Sequence, residues 1–193
     1  MDFSPVAVAK ASAVAAAAGL SDRARFVTAD VSCLPVDLHR TFDVCHVSRG
    51  VFSWVADLAG WMHQAASTLR PGGVLAVTDI HPLYLMCGGV DPLLLDFPYA
   101  DHGPLRQDDQ TGSYVAGVDE TSTTPPSSTA APSASCSPPR SPPDWSSKRF
   151  EEHLAVETHA HRDLAVRGAD GLLRWQVTGQ DLPVMFSLRA RRP

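Results

Sequence analysis

The hydrophobic pattern predicts two helices in the first 70 residues. Ser4 and Pro5 open an alanine-rich run that Gly19 closes. Serine can cap the free N–H groups of a first turn, proline suits that turn, and glycine accepts the left-handed conformation that follows the last one. A second helix is predicted over residues 54–69, where apolar side chains recur at helical spacing up to the turn that begins at Arg70.

Short apolar runs between these segments predict strands. They cover residues 24–31, 41–48 and 74–80, and a later strand is predicted over 182–190 with Trp175 in a partner segment upstream. Strands that alternate with helices indicate βαβ units and a mainly parallel sheet. The late strand predicts an antiparallel C-terminal edge on that sheet. The predicted fold class is therefore α/β.

Length and composition are those of one globular domain. The chain has 193 residues, of which 44% are hydrophobic and 19% charged, and this balance argues against disorder over its whole length. The net charge of −5 gives no basis for expecting a nucleic-acid or anionic-membrane partner. No window approaches the roughly 18 apolar residues of a membrane span. The sequence does not indicate an oligomeric state.

The N-terminal residues and the cysteine spacing predict a cytoplasmic protein. The N-terminus has Asp2 where a signal peptide carries positive charge, and Lys10 interrupts its apolar run. The cysteines have no close pairing and no C-x-x-C spacing, which predicts free thiols in a reducing compartment and neither a disulfide framework nor a zinc site. They are Cys33, Cys45, Cys87 and Cys136.

Several segments, taken in their order along the chain, resemble the class I S-adenosylmethionine-dependent methyltransferases. The segments that carry the resemblance are Asp2–Pro5, Phe26–Val31, Phe42–Val44, Leu69–Leu75 and Met185–Ala190. Each motif is short, so the resemblance depends on their shared order and spacing. It implies a doubly wound, Rossmann-like sheet that binds S-adenosyl-L-methionine and transfers a methyl group to a small-molecule acceptor.

The resemblance also implies which residues bind the cofactor. In a doubly wound sheet, ligands lie outside the carboxyl ends of the strands. Asp2 would accept the ribose hydroxyls, Phe3 would pack against the adenine, Asp30 and Val31 would meet the adenine amino group, and Ser48 and Arg49 would lie near the methionine portion. The alternative for Asp2 and Asp30 is a helix-capping or loop acid.

The resemblance predicts an incomplete domain. The family's glycine-rich loop should lie roughly 20 residues before Asp2, and the sequence contains no glycine before Gly19. An N-terminally truncated chain, lacking the first strand and that loop, is therefore expected. An alternative is a non-catalytic remnant that no longer binds the cofactor. A nicotinamide-linked Rossmann enzyme is disfavoured because the Arg70–Gly73 turn is not typical of that class.

Candidate chemistry is limited to one histidine. Methyl transfer depends mainly on alignment and the exclusion of water, so a base is needed only if the acceptor must lose a proton. His81 follows the third predicted strand and is the candidate base, and the alternative is a loop histidine that shapes the pocket. A set of acidic and imidazole side chains alternates along one segment, which indicates a strand with one wet face and no metal site. This set is His153, Glu157, His159 and His161.

A segment rich in proline and serine, residues 121–148, divides the chain. Residues 1–120 are predicted to form the truncated core, and residues 149–193 are predicted to complete the same domain. Seven of the 16 prolines lie between Pro125 and Pro143. This composition predicts either a disordered segment or a frame-altered one. In a shifted reading frame the codons permit an amphipathic helix and a strand, so two compensating frame changes are a hypothesis that DNA sequencing can test.

Overall fold

The computed structural model describes residues 1–55, 57–86, 144–157 and 165–193. The helices are α1 (Pro5–Ala17), α2 (Val51–Trp54), α3 (Leu58–Thr68) and α4 (Pro82–Met86), with a 3-10 turn over Val36–Leu38. The longer strands are β1 (Phe42–Ser48), β2 (Leu69–Ile80), β3 (Ser146–His153) and β8 (Met185–Arg191). The shorter strands are β4 (Ala155–Val156), β5 (Ala165–Arg167), β6 (Leu173–Val177) and β7 (Gln180–Leu182).

The main sheet has the strand order β1-β2-β8-β3. β1 and β2 are parallel, while β8 is antiparallel to both of its neighbours, so β1, β2 and β3 run in the same direction. The mixed α/β class is confirmed. The predicted antiparallel edge is corrected, because the antiparallel strand β8 lies inside the sheet and β3 forms that edge. The prediction failed because the apolar sequence of a buried strand does not reveal whether that strand lies in the middle of a sheet or at its edge.

The N-terminal helix is confirmed, but the strand predicted over 24–31 is reduced to one bridge. Ser4 caps α1 by accepting a hydrogen bond from the N–H of Ala7 at 3.2 Å. Asp2 and Thr28 form an isolated parallel bridge. The segment that contains Asp2 can pair over only a short stretch, because Ser4 already caps α1 and the helix begins at Pro5.

One core lies between α3 and the main sheet. Along β1 the side chains alternate, so Cys45 and Val47 face this core while Val44 is exposed. Asp57 starts α3 by accepting from the N–H of Gly60 at 2.8 Å, which is why the helix begins later than the predicted residue 54. The buried members of the core are Trp61, Ala65, Ala66, Leu69, Leu75, Val77, Trp145, Phe186 and Ala190.

A second, smaller sheet is formed by the short strands. Its strand order is β4-β6-β5, and β7 also pairs with β6. Trp175 of β6 packs with Tyr84, Val184 and Met185 in a second core. Met185 also begins β8, so the second core packs against the start of a main-sheet strand. Trp175 pairs with Leu182 through the β6–β7 hairpin.

The prediction of free thiols is wrong at Cys33, which is disulfide-bonded. Cys45 is a free thiol, whereas Cys87 and Cys136 lie outside the described residues. Cysteines that are distant in sequence can be neighbours in a fold, and spacing alone does not reveal such pairs. Within the four described ranges, none of the helices combines the length and apolar character that crossing a membrane requires.

The Cys45 thiol is expected to resist alkylation in the native chain. Burial raises its pKa above the ordinary value of 9.0, and this effect exceeds the opposing hydrogen bond with Thr68. Because the native thiol holds its proton more tightly than the unfolded one, stability should fall as the pH rises past 9.0. We expect iodoacetamide at neutral pH to label native Cys45 at least about tenfold more slowly than the urea-unfolded chain, as measured by peptide mass spectrometry. Equal labelling rates would contradict this expectation.

The proline-rich segment falls largely outside the described residues. Only 144–148 of the predicted 121–148 stretch is described, and it contains Asp144, the buried Trp145 and the start of β3 at Ser146. The frame hypothesis therefore stays a prediction.

Candidate functional site

The polar residues predicted to bind a ligand lie where strands end. β1, β2 and β3 run in the same direction, so Ser48, Ile80 and His153 end at one edge of the main sheet, here called the carboxyl edge. Ligands of open α/β sheets bind outside such an edge. A ligand of the main sheet is therefore expected to bind at the carboxyl edge.

A buried carboxylate shapes the first turn of the carboxyl edge. Asp79 is 0% exposed and accepts hydrogen bonds from the N–H groups of Gly50 at 2.5 Å, Phe52 at 3.0 Å and Ile80 at 2.7 Å. Gly50 has a φ of 94°, a conformation that favours glycine. Asp79 thus holds together the turn that follows Ser48.

Asp79 is a residue that sequence reasoning missed. The available signal was an acid at the next-to-last position of an apolar strand, where the side chain faces inwards. Phe52, whose N–H it accepts, packs edge-to-face with Trp61 and with Phe186 at ring separations of 5.8 and 5.6 Å. The carboxylate therefore connects the turn to the core.

Ser48 and Arg49 lie on this turn, as the strand pattern predicts. Ser48 is the last residue of β1, and both side chains are exposed. Their positions are next to Gly50 and so depend on Asp79.

Asp2 and Asp30 form two similar turns on neighbouring segments. Asp2 Oδ1 accepts from the N–H of Ser4 at 2.8 Å, and Asp30 Oδ1 accepts from the N–H of Ser32 at 2.8 Å. Because Asp2 lies opposite Thr28 in a parallel bridge, the two turns leave their segments side by side. The structure thus brings the two acids together, and each also has the loop role that was the alternative prediction.

Phe3 and Val31 differ in their surroundings. Phe3 is 72% exposed, so its ring is accessible to a ligand. Val31 is half-buried and packs against the core that contains Trp61. Val31 therefore contributes apolar packing, and its backbone is the part that a ligand could meet.

Both ring nitrogens of His81 are engaged. Nδ1 accepts from the N–H of Leu83 at 3.1 Å, and Nε2 lies 2.9 Å from Glu152 Oε1. A nitrogen that accepts from a backbone N–H carries no proton, so the ring proton is on Nε2 and is donated to Glu152. In this arrangement His81 offers no free nitrogen to an acceptor.

The described residues contain no group of three or more possible metal ligands. His153 instead contacts Ser187, with 2.9 Å between Nε2 and Oγ. His159 and His161 lie outside the described residues, so that part of the prediction is untested.

A cavity of about 410 Å³ lies away from the carboxyl edge. His63, Trp145 and Arg192 are among the residues that line it. These residues lie near the start of β2 and β3 and after the end of β8, which is the opposite edge of the sheet. The cavity therefore includes none of the predicted site residues.

Comparison with protein families identifies the N-terminal part of the chain. Residues 1–73 match the sequence profile of a family described as a methyltransferase domain. The match covers less than half of the 193-residue chain. The predicted resemblance is confirmed for this part, which includes Asp2, Asp30, Ser48 and Arg49. No curated protein matches the chain.

Three solved structures are similar to this chain. The cyclase SpnF is 29% identical over 40% of this chain and 28% of its own, with a TM-score of 0.37. A protein from Bordetella parapertussis, described as a possible exported protein, is 16% identical over 99% and 51% of the two chains, with a TM-score of 0.46. A protein from Listeria monocytogenes, described as a candidate S-adenosylmethionine-dependent methyltransferase, is 13% identical over 91% and 75%, with a TM-score of 0.37. The chain thus spans less than a third of SpnF.

The polar groups of the Asp2 and Asp30 turns have the chemistry that the nucleoside part of S-adenosylmethionine would require. Asp2 and Asp30 are exposed, and each keeps Oδ2 without a hydrogen-bond partner among the described residues. A carboxylate oxygen of this kind accepts from a ribose hydroxyl or an amino group. The exposed ring of Phe3 offers a flat apolar surface beside Asp2.

Proposed function

We propose that the chain transfers a methyl group from S-adenosylmethionine to a small-molecule acceptor. The observation that carries the proposal is the match of residues 1–73 to a methyltransferase domain. The exposed, half-satisfied carboxylates of Asp2 and Asp30 on adjacent turns support it. When bound, the cofactor supplies a methyl group that is already activated by its sulfonium.

The chain's own residues would bind and orient the cofactor. Asp2 and Asp30 would accept hydrogen bonds from the nucleoside, and Phe3 would cover one face of the base. Ser48 and Arg49 would contact the amino-acid end from a turn that Asp79 holds in place. A fixed turn loses little freedom on binding, and alignment of the reacting groups is the main contribution of a protein to this chemistry.

Calorimetry with S-adenosylhomocysteine tests the proposal. We expect saturable binding to the folded chain, and we expect Asp30→Ala to weaken it by about tenfold or more, since a hydrogen bond to a charged group contributes about 1.5–3 kcal/mol. Asp22→Ala is the matched control, because Asp22 is also exposed and has no hydrogen bond among the described residues.

The outcome also separates the two interpretations of the sequence. No measurable heat from a chain with a cooperative unfolding transition would overturn the proposal and favour a remnant that binds no cofactor. Equal losses in Asp22→Ala and Asp30→Ala would show that the nucleoside does not bind at Asp30.

A further inference from the structure

The pair formed by His81 and Glu152 is built into the carboxyl edge. The N–H of His81 donates to the carbonyl of Val184 at 3.0 Å, and the N–H of Val184 donates to the carbonyl of His153 at 3.0 Å. These backbone bonds place the end of β2 and the end of β3 on either side of residue 184. The two side chains thus meet although they are 71 positions apart in the sequence.

The hydrogen bonds of the pair assign different roles to its members. His81 is 14% exposed and has its proton on Nε2, since Nδ1 accepts from Leu83. Glu152 is 53% exposed, and only its Oε1 has a hydrogen-bond partner among the described residues. The neutral imidazole therefore fixes one carboxylate oxygen and leaves Oε2 without a hydrogen-bond partner among the described residues. The pair as a whole carries one negative charge.

An exposed aromatic ring lies on the same face of β3 as Glu152. Phe150 and Glu152 share one face of β3, because side chains alternate along a strand. Phe150 is 57% exposed and stacks on Phe186 with 5.5 Å between ring centroids. A carboxylate next to an exposed aromatic ring suits a cation that carries an apolar body.

We propose that Glu152 binds the methyl acceptor, that this acceptor is an amine with an apolar body, and that His81 is a positioning residue. The proposal rests on the proposed methyltransferase function. A protonated amine matches the single negative charge of the pair, whereas a neutral hydroxyl would leave that charge without a counterion.

The proposed step balances in atoms and charge. One nitrogen–hydrogen bond of the ammonium breaks, the proton moves to Glu152 Oε2, and the nitrogen keeps the electron pair. The nitrogen uses that pair to form its bond to the methyl carbon, while the electrons of the old carbon–sulfur bond stay on sulfur. The products are a methylated ammonium, a neutral thioether and a neutral Glu152.

Glu151 provides a matched control for Glu152. It is the preceding residue of the same strand and is also exposed, but it faces the other side of the sheet and pairs with Arg149 at 2.5 Å. His81→Ser separates the two bonds of His81, because a serine oxygen can still accept from the Leu83 N–H but is too short to reach Glu152.

The experiment uses the full chain without cofactor, and the probes are phenethylammonium chloride and 2-phenylethanol. Binding is followed by the imidazole ¹⁵N signals of His81. We expect Nδ1 to be unprotonated, phenethylammonium to shift the Nε2 signal saturably, and the alcohol to bind at least tenfold more weakly. Glu152→Gln should lower the ammonium affinity by tenfold or more, and Glu151→Gln by less than twofold. His81→Ser should lower that affinity with an unchanged melting temperature.

Different contrary results would overturn different parts of the proposal. Equal binding of the amine and the alcohol, or equal losses in Glu151→Gln and Glu152→Gln, would exclude Glu152 as the amine site. Full affinity in His81→Ser would reduce His81 to a helix cap. Because these measurements involve no cofactor, their failure is distinguishable from a failure to bind S-adenosylhomocysteine.

Discussion

Replacing Asp79 with alanine is expected to lower the free energy of unfolding by about 2–6 kcal/mol, because at least two backbone N–H groups lose their partner inside the protein and each costs about 1–3 kcal/mol. The groups are the N–H of Gly50 and the N–H of Phe52. The turn that carries Ser48 and Arg49 would lose its fixed shape as well. We therefore expect cofactor affinity to fall together with stability.

Urea unfolding of Asp79→Ala and of Asp43→Ala measures this effect against a control. Asp43 also forms a short polar contact, at 2.8 Å from Arg70, but both side chains are exposed. Such a surface pair contributes at most about 1 kcal/mol. If the two variants lose the same stability, the Asp79 carboxylate does not hold the turn in the way described here.

Replacing Trp175 with alanine is expected to cost about 3–5 kcal/mol, the range for removing a large aromatic side chain from a core. Trp175 is almost fully buried and meets Tyr84 edge-to-face at 5.4 Å. Trp175→Phe should cost much less, because the indole Nε1 has no hydrogen-bond partner among the described residues. The phenylalanine keeps most of the apolar contact and removes a buried polar group.

Thermal unfolding followed by far-UV and near-UV circular dichroism checks this expectation. Val166→Ala is the control, since Val166 lies on the same small sheet but is exposed, and such changes usually stay within about 0.5 kcal/mol. A loss in Trp175→Ala no larger than that of Val166→Ala would mean that the second core does not stabilise the domain.

Local patterns in the sequence were sufficient for three strands of the main sheet, but they did not predict its edge strand over Ser146–His153. The helix opened by Ser4 and the strands that end at Ser48 and Ile80 are where periodicity and capping residues predict them. Local patterns could not determine strand order. That β8 lies between β2 and β3 depends on pairing between distant segments.

The candidate site was predictable only in part, for the same reason. Asp30 could be named because it follows a short apolar run, whereas Asp2 was named from the resemblance in the order of the segments; both lie within the matched residues 1–73. The contact between His81 and Glu152 could not be named, since it requires β8 to bring two distant strand ends together. His81 alone suggested a base, whereas the pair assigns the ligand-facing role to Glu152.

The interior position of β8 has a consequence for how the chain folds. Its register pairs Thr78 with Ser187, so the middle of the sheet closes across more than one hundred residues of intervening chain. Contacts of such long sequence separation form slowly, because the entropy of closing the loop is lost before the contacts are gained. During synthesis, β1, α3 and β2 leave the ribosome well before Met185–Arg191. Until those residues emerge, one edge of β2 stays unpaired, and the nascent chain carries an open strand on which misassociation can begin.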